Sequence, residues 1–180
     1  EDALNAYLLG ERASDTLDRL ILVEGLTWRE VRLFRALNHY LIQLGLGYTP
    51  SFMSNTLLAN PGITKHLVEF FQVSFDPDNG LNDEQRNARR EEIEADLMDE
   101  LNKIPTLAKV IRAILRTNAY LGREALALKV APQQIDFAPL PRPKFEIFVY
   151  SPRVEGVHLR FGDVARGGLR WSDRRDDFRT

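Results

Sequence analysis

A mainly helical α+β fold is predicted by three features of the 180-residue sequence. Up to about residue 122, apolar residues recur at i, i+3, i+4 and i+7 between capping residues and glycine stops, as in amphipathic helices. After Gly122 the apolar period changes to two, the pattern of strands. A proline-rich connector lies between the strand candidates and favours an extended path over a helix. The division that follows is a helical region over 1–79, a long kinked helical segment over 80–122, and the truncated start of a sheet domain over 123–180.

Ala3 to Leu9 reads as a short helix closed by Gly10. Ser14 or Asp15 caps a second helix bearing Leu17, Leu20, Ile21 and Val23, with Gly25 as its stop. Thr27 and Glu30 form a capping-box sequence. The helix they open places Trp28, Val31, Phe34, Leu37 (or Ala36), Leu41 and Leu44 at helical spacing, with Arg29, Arg32 and Arg35 mostly opposite; Gly45 and Gly47 end it. Thr49-Pro50 and Asn60-Pro61 each pair an N-cap residue with a proline at the first helical position. The second of these helices carries Ile63, Leu67, Val68, Phe70 and Phe71, a spacing that reads as helix packing and not as a cofactor box.

Asp76-Pro77-Asp78-Asn79-Gly80 is a strong break and a candidate joint; its acids do not meet the EF-hand pattern. Asn82 to Gln85 caps a long charged helix with one apolar stripe, Ile93, Leu97, Leu101 and Ile104. Pro105 kinks or restarts it. Leu107, Val110, Ile111, Ile114 and Leu115 then form a wide apolar face. Residues 125–130, Phe145–Tyr150 and Val157–Phe161 are strand candidates. The prolines at 139, 141 and 143 read as a rigid connector, in preference to a ligand for an SH3-type domain.

The last strand candidate runs into Gly162-Asp163-Val164-Ala165-Arg166-Gly167-Gly168-Leu169-Arg170-Trp171. Two glycines between two arginines read as a turn where a ligand approaches the main chain. The guanidinium forks suit a carboxylate or phosphate. A plain hairpin turn with solvated arginines is the competing reading.

Composition narrows the classes. At 44% hydrophobic and 28% charged, the chain can bury a core; its formal net charge of −2 argues against a dedicated nucleic-acid binder. Asp163, Asp173, Asp176 and Asp177 interrupt the arginines near the C-terminus, which favours a small dicarboxylate over a polyanion. With no cysteine there is no disulfide, thiol nucleophile or Cys-based metal site, and His39, His66 and His158 have no ligand spacing. No catalytic triad can be assembled, no GxGxxG or P-loop lysine is present, and no run is long enough to span a membrane. A cytoplasmic protein is expected. A start at Glu1 and an end at Thr180 inside a charged run suggest an internal piece of a longer chain.

The run FEIFVYSPRVEGVHLRFGDVARGGLRWSDRRDDFRT, residues 145–180, closely resembles the large-subunit bacterial NAD-specific glutamate dehydrogenases. Asp18-Arg19-Leu20, Gly25 to Glu30, Phe75-Asp76-Pro77 and Ile111 to Asn118 resemble the same family's helical region. The resemblance implies interconversion of L-glutamate and 2-oxoglutarate plus ammonia, with NAD as cofactor and a homo-oligomeric parent. It also makes 123–180 the start of the catalytic, substrate-binding domain. Glutamate dehydrogenases carry a Gly-Gly-x-Arg turn that helps hold the dicarboxylate, matched here by Gly167, Gly168, Leu169 and Arg170. Arg166 stands where small-subunit enzymes often have lysine, which keeps the charge and changes the contact geometry. The family's catalytic lysines, catalytic aspartate and nucleotide-binding domain match nothing here, so the chain alone is expected to be inactive. The alternative is a non-catalytic helical interaction or regulatory module carried by the helices from Asn82 to Leu121, with self-association through the Ile93–Leu97–Leu101 seam as its mark.

Overall fold

The computed structural model describes residues 2–10, 14–45, 49–103, 108, 118–121, 125–135 and 138–172. Among the described residues, six α-helices precede five strands: α1 (Asp2–Leu8), α2 (Arg19–Val23), α3 (Trp28–Gln43), α4 (Pro50–Ala59), α5 (Pro61–Phe75), α6 (Asp83–Leu101), β1 (Asn118–Leu121), β2 (Leu126–Val130), β3 (Phe145–Tyr150), β4 (Val154–Phe161) and β5 (Val164–Trp171). The fold is α+β and mainly helical, as the periodicity implies.

Local chemistry sets the helix starts. Asp15 accepts a hydrogen bond from the Leu17 amide at 2.9 Å in the turn ahead of α2. At α3, Thr27 Oγ1 accepts from the Glu30 amide, and Glu30 accepts from the Thr27 amide at 2.7 Å, so two orphan donors are satisfied reciprocally. Asn82 and Gln85 repeat the device at α6. Thr49 and Asn60 make no side-chain cap; the proline alone begins α4 and α5.

α5 and α6 run antiparallel. Glu100 lies against Gly62 at one end, and Arg86 donates to the Val73 carbonyl at the other. Ile93, Leu97 and Leu101 are buried in the core cluster. The use of that seam for self-association is therefore corrected: α6 has one apolar stripe, and the molecule's own core occupies it. Residues 104–107 and 109–117, with the kink at Pro105 and most of the apolar face after it, lie outside the described residues.

Two further readings are corrected. The helical segment does not reach 122, because Asn118–Leu121 is β1, paired antiparallel with β2 through Leu121↔Leu126. Four residues carry no period of their own, and the neighbouring strand decides their state. Arg32 and Arg35 do not face solvent; they are 7% and 1% exposed. α3 is the central helix, covered nearly all round. Arg35 is accepted there because Asp15 takes its Nε at 2.9 Å and Nη2 at 3.1 Å, while Asp18 takes Nη2 at 2.7 Å.

The sheet is an antiparallel meander in the order β1-β2-β3-β4-β5. Buried and less buried residues alternate along β2 and β3, so there one face is covered and the other open. Leu126, Leu128, Phe148, Tyr150 and Val157 make the covered face. α3 contacts it: the Tyr40 and Phe148 rings are 5.8 Å apart, and those of His39 and Tyr150 are 4.9 Å apart. The other face leaves Leu169 79% and Trp171 61% exposed.

Candidate functional site

The site is built on the β4–β5 hairpin. Phe161 pairs with Val164, leaving Gly162 and Asp163 as a two-residue turn. Gly162 has φ +80° while Asp163 is not left-handed, the pattern of a type II′ turn. The expected turn at Gly167-Gly168 is therefore corrected. The chain reverses five residues earlier, and both glycines are extended residues of β5, opposite His158 and Val157. Their role is proximity. A Cβ on Gly167 would sit 2.3 Å from the Val157 carbonyl oxygen, closer than any carbon tolerates.

The register decides which side chains meet. Arg170 pairs with Glu155, Gly168 with Val157 and Arg166 with Leu159, so Arg166, Gly168 and Arg170 share the face carrying Glu155, Val157 and Leu159. At a strand rise of about 3.3 Å per residue, the Cα atoms of Arg166 and Arg170 stand roughly 13 Å apart. Between them Gly168 carries no side chain, so no side chain separates the two arginines along that face of β5. Gly167, Leu169 and Trp171 belong to the opposite face. All four sequence-predicted residues therefore lie on β5, with Gly167 turned away from the other three.

The two arginines differ in setting. Arg166 is solvent-exposed. Arg170 is one-tenth exposed and donates from Nε to Glu155 Oε1 in a short ion pair. The Glu155 side chain has no solvent exposure, and its other oxygen, Oε2, lies 2.6 Å from His39 Nδ1. An ionised carboxylate only accepts, so His39 Nδ1 is the donor. One buried anion is thus bracketed by a strand arginine and a helix histidine, the compensation a carboxylate needs away from water. The Tyr150 ring lies tilted against that of His39, and burial pushes its phenol well above the usual range.

His39 and Glu155 are the site residues that sequence reasoning missed. A signal for Glu155 exists: it occupies the apolar phase of β4, in step with Val157 and Leu159. A charge at a core-phase position calls for a buried partner.

Other features carry less. A cavity of about 1120 Å³ is lined by Trp28, Arg29, Arg32, Asp76, Asp78 and Leu126, but none of the four β5 residues borders it. The cavity mixes arginines with aspartates, whereas Arg166 and Arg170 share one face of β5. No group of three His, Asp or Glu side chains among the described residues could hold a metal. The described strands are antiparallel throughout, so they contain no parallel βαβ unit to cradle a dinucleotide. These residues do not fit NAD.

Comparison with known proteins bears on the family of the chain. Residues 89–180 match the profile of the bacterial NAD-glutamate dehydrogenase catalytic domain, and residues 12–77 match glutamate dehydrogenase helical motif 3. The chain is 43% identical to an NAD-specific glutamate dehydrogenase of Mycobacterium tuberculosis, over 99% of this chain and 12% of that protein. It is 42% identical to one of Halomonas elongata over 99% of the chain, and 39% identical to one of Pseudomonas aeruginosa over 100%. The chain spans about 12% of the length of each of these relatives. With the catalytic-domain profile covering more than half of its residues, the chain belongs to the bacterial NAD-glutamate dehydrogenase family.

Proposed function

We propose that the chain is part of an NAD-dependent glutamate dehydrogenase, and that β5 forms one wall of its dicarboxylate pocket. The whole enzyme would interconvert L-glutamate and 2-oxoglutarate plus ammonia, with hydride passing to or from NAD. The observation that carries the reading is the placement of Arg166 and Arg170 on one face of β5 with Gly168 between them, in a chain of this family.

Glutamate has a carboxylate at each end of a short carbon chain. Two guanidinium groups on either side of a glycine match two anions across a methylene spacer. Glu155 fixes the plane of the Arg170 guanidinium, so part of the ordering cost falls before substrate arrives. Arg166, in solvent, orders only on binding. Hydride and proton transfer are assigned to no residue of this chain, and the isolated chain is proposed to be inactive.

The whole enzyme is proposed to be a cytoplasmic homo-oligomer that binds neither nucleic acid nor membrane. The exposed Leu169 and Trp171 favour further protein cover for the sheet. The net charge of −2 disfavours polyanions. No helix among the described residues is long and apolar enough to cross a membrane. The test is steady-state kinetics of full-length Arg166→Ala and Arg170→Ala. A raised glutamate KM or a lowered kcat, with the NAD KM unchanged, supports the reading; wild-type kinetics in both contradicts it.

A further inference from the structure

We infer that His39 is a positioning residue for the substrate wall, acting on Arg170 through Glu155; this rests on the reading that Arg170 holds a substrate carboxylate. His39 lies on α3 and Glu155 on β4, 116 positions apart. Glu155 has two acceptor oxygens, and the two neighbours divide them: Arg170 Nε takes Oε1 and His39 Nδ1 takes Oε2. A carboxylate bonded on one oxygen alone can swing about its last side-chain torsion, which is broad. Bonded on both, it is fixed. A guanidinium is planar, so fixing the direction of its Nε–H also fixes where its two terminal nitrogens point. The helix thereby sets the aim of a cation carried by an edge strand. His39 is held in turn, with its ring 4.9 Å from that of Tyr150 and its side chain 22% exposed.

This arrangement gives the helical region an indirect part in substrate binding. The histidine touches no substrate in this scheme; it lowers the number of orientations open to Arg170. Its removal therefore acts on the glutamate terms and spares the nucleotide terms. Its effect also disappears once Arg170 is gone. Asn is the informative replacement, because its amide nitrogen stands the same number of bonds from Cα as His Nδ1 and donates to Glu155 Oε2.

The experiment is a kinetic double-mutant cycle in the full-length enzyme with His39→Leu, His39→Asn, Arg170→Ala and the His39→Leu/Arg170→Ala pair. The expected result is a loss of about tenfold in kcat/KM for glutamate in H39L, the scale of a modest misplacement of a binding group. H39N recovers most of that loss, the NAD KM stays at the wild-type value, and H39L adds nothing in the R170A background. Equal effects of H39L in both backgrounds, or wild-type kinetics in H39L, overturn the positioning role while leaving Arg170's own role standing. Wild-type kinetics in R170A overturns the substrate-wall reading itself and the inference with it. Should H39L fail to fold, H39A takes its place in the cycle, with the same loss and the same recovery by H39N expected and wild-type kinetics in H39A overturning the role. A folded H39N as impaired as R170A contradicts it.

Discussion

His39 Nδ1 lies 2.6 Å from Glu155 Oε2, joining the third helix to the fourth strand across 116 positions of sequence. One residue falls within the matched helical motif and the other within the matched catalytic domain. The carboxylate they share with Arg170 is buried, and its loss should be felt in stability as well as in activity.

Glu155→Leu removes the buried carboxylate that Arg170 Nε and His39 Nδ1 share. Removing one member of a buried pair costs about 3–5 kcal/mol. We expect a clear fall in Tm by calorimetry, and a larger one than for Glu155→Gln, which keeps a hydrogen-bond acceptor. Equal melting of wild type and Glu155→Leu would show the pair to be energetically idle.

Arg35 is the second buried charge. Its fork takes Asp15 through two nitrogens and Asp18 through one. Arg35→Ala should cost about 3 kcal/mol, leaving two carboxylates facing each other near the start of α2. Arg35→Lys should recover only part, because an ammonium does not reproduce the bidentate geometry. Full recovery by lysine, measured by urea denaturation, would contradict the geometric account.

Gly167→Ala places a carbon 2.3 Å from the Val157 carbonyl oxygen. Backbone cannot move aside as a flexible side chain does, so β5 must shift on β4. We expect a loss of about 2 kcal/mol, in the range of overpacking, together with a fall in kcat/KM for glutamate as Arg166 and Arg170 leave register. A variant with unchanged melting and kinetics would mean that the glycine is dispensable.

Leu97 separates the two uses once open to α6. It is fully buried in the core, so Leu97→Ala should destabilise by about 3–5 kcal/mol. If the stripe were instead a surface for self-association, sedimentation would show dissociation with unchanged monomer stability.

Much of the helical part was legible because its signals are local. Thr27 with Glu30, Asn82 with Gln85, and the Ile93–Leu97–Leu101 stripe each lie within one or a few turns. β3 was equally plain, since Phe145–Tyr150 alternates toward one packed face. What escaped depends on partners distant in sequence. Arg35 reads as a solvent residue until Asp15 and Asp18 fold back onto it. Gly167-Gly168 reads as a turn until β4 passes close enough for a carbonyl to exclude any side chain. β1 has four residues, and pairing alone decides its state. The arginine pair reads as flanking a turn, whereas period two along a strand puts both on one face.

The most direct measurement is a crystal structure of the full-length enzyme with glutarate, a five-carbon diacid without the reactive amine. The account predicts carboxylate oxygens within about 3 Å of the Arg166 and Arg170 guanidinium groups, with the methylene chain over Gly168. A diacid bound elsewhere, with Arg166 in solvent and Arg170 turned only to Glu155, would contradict it.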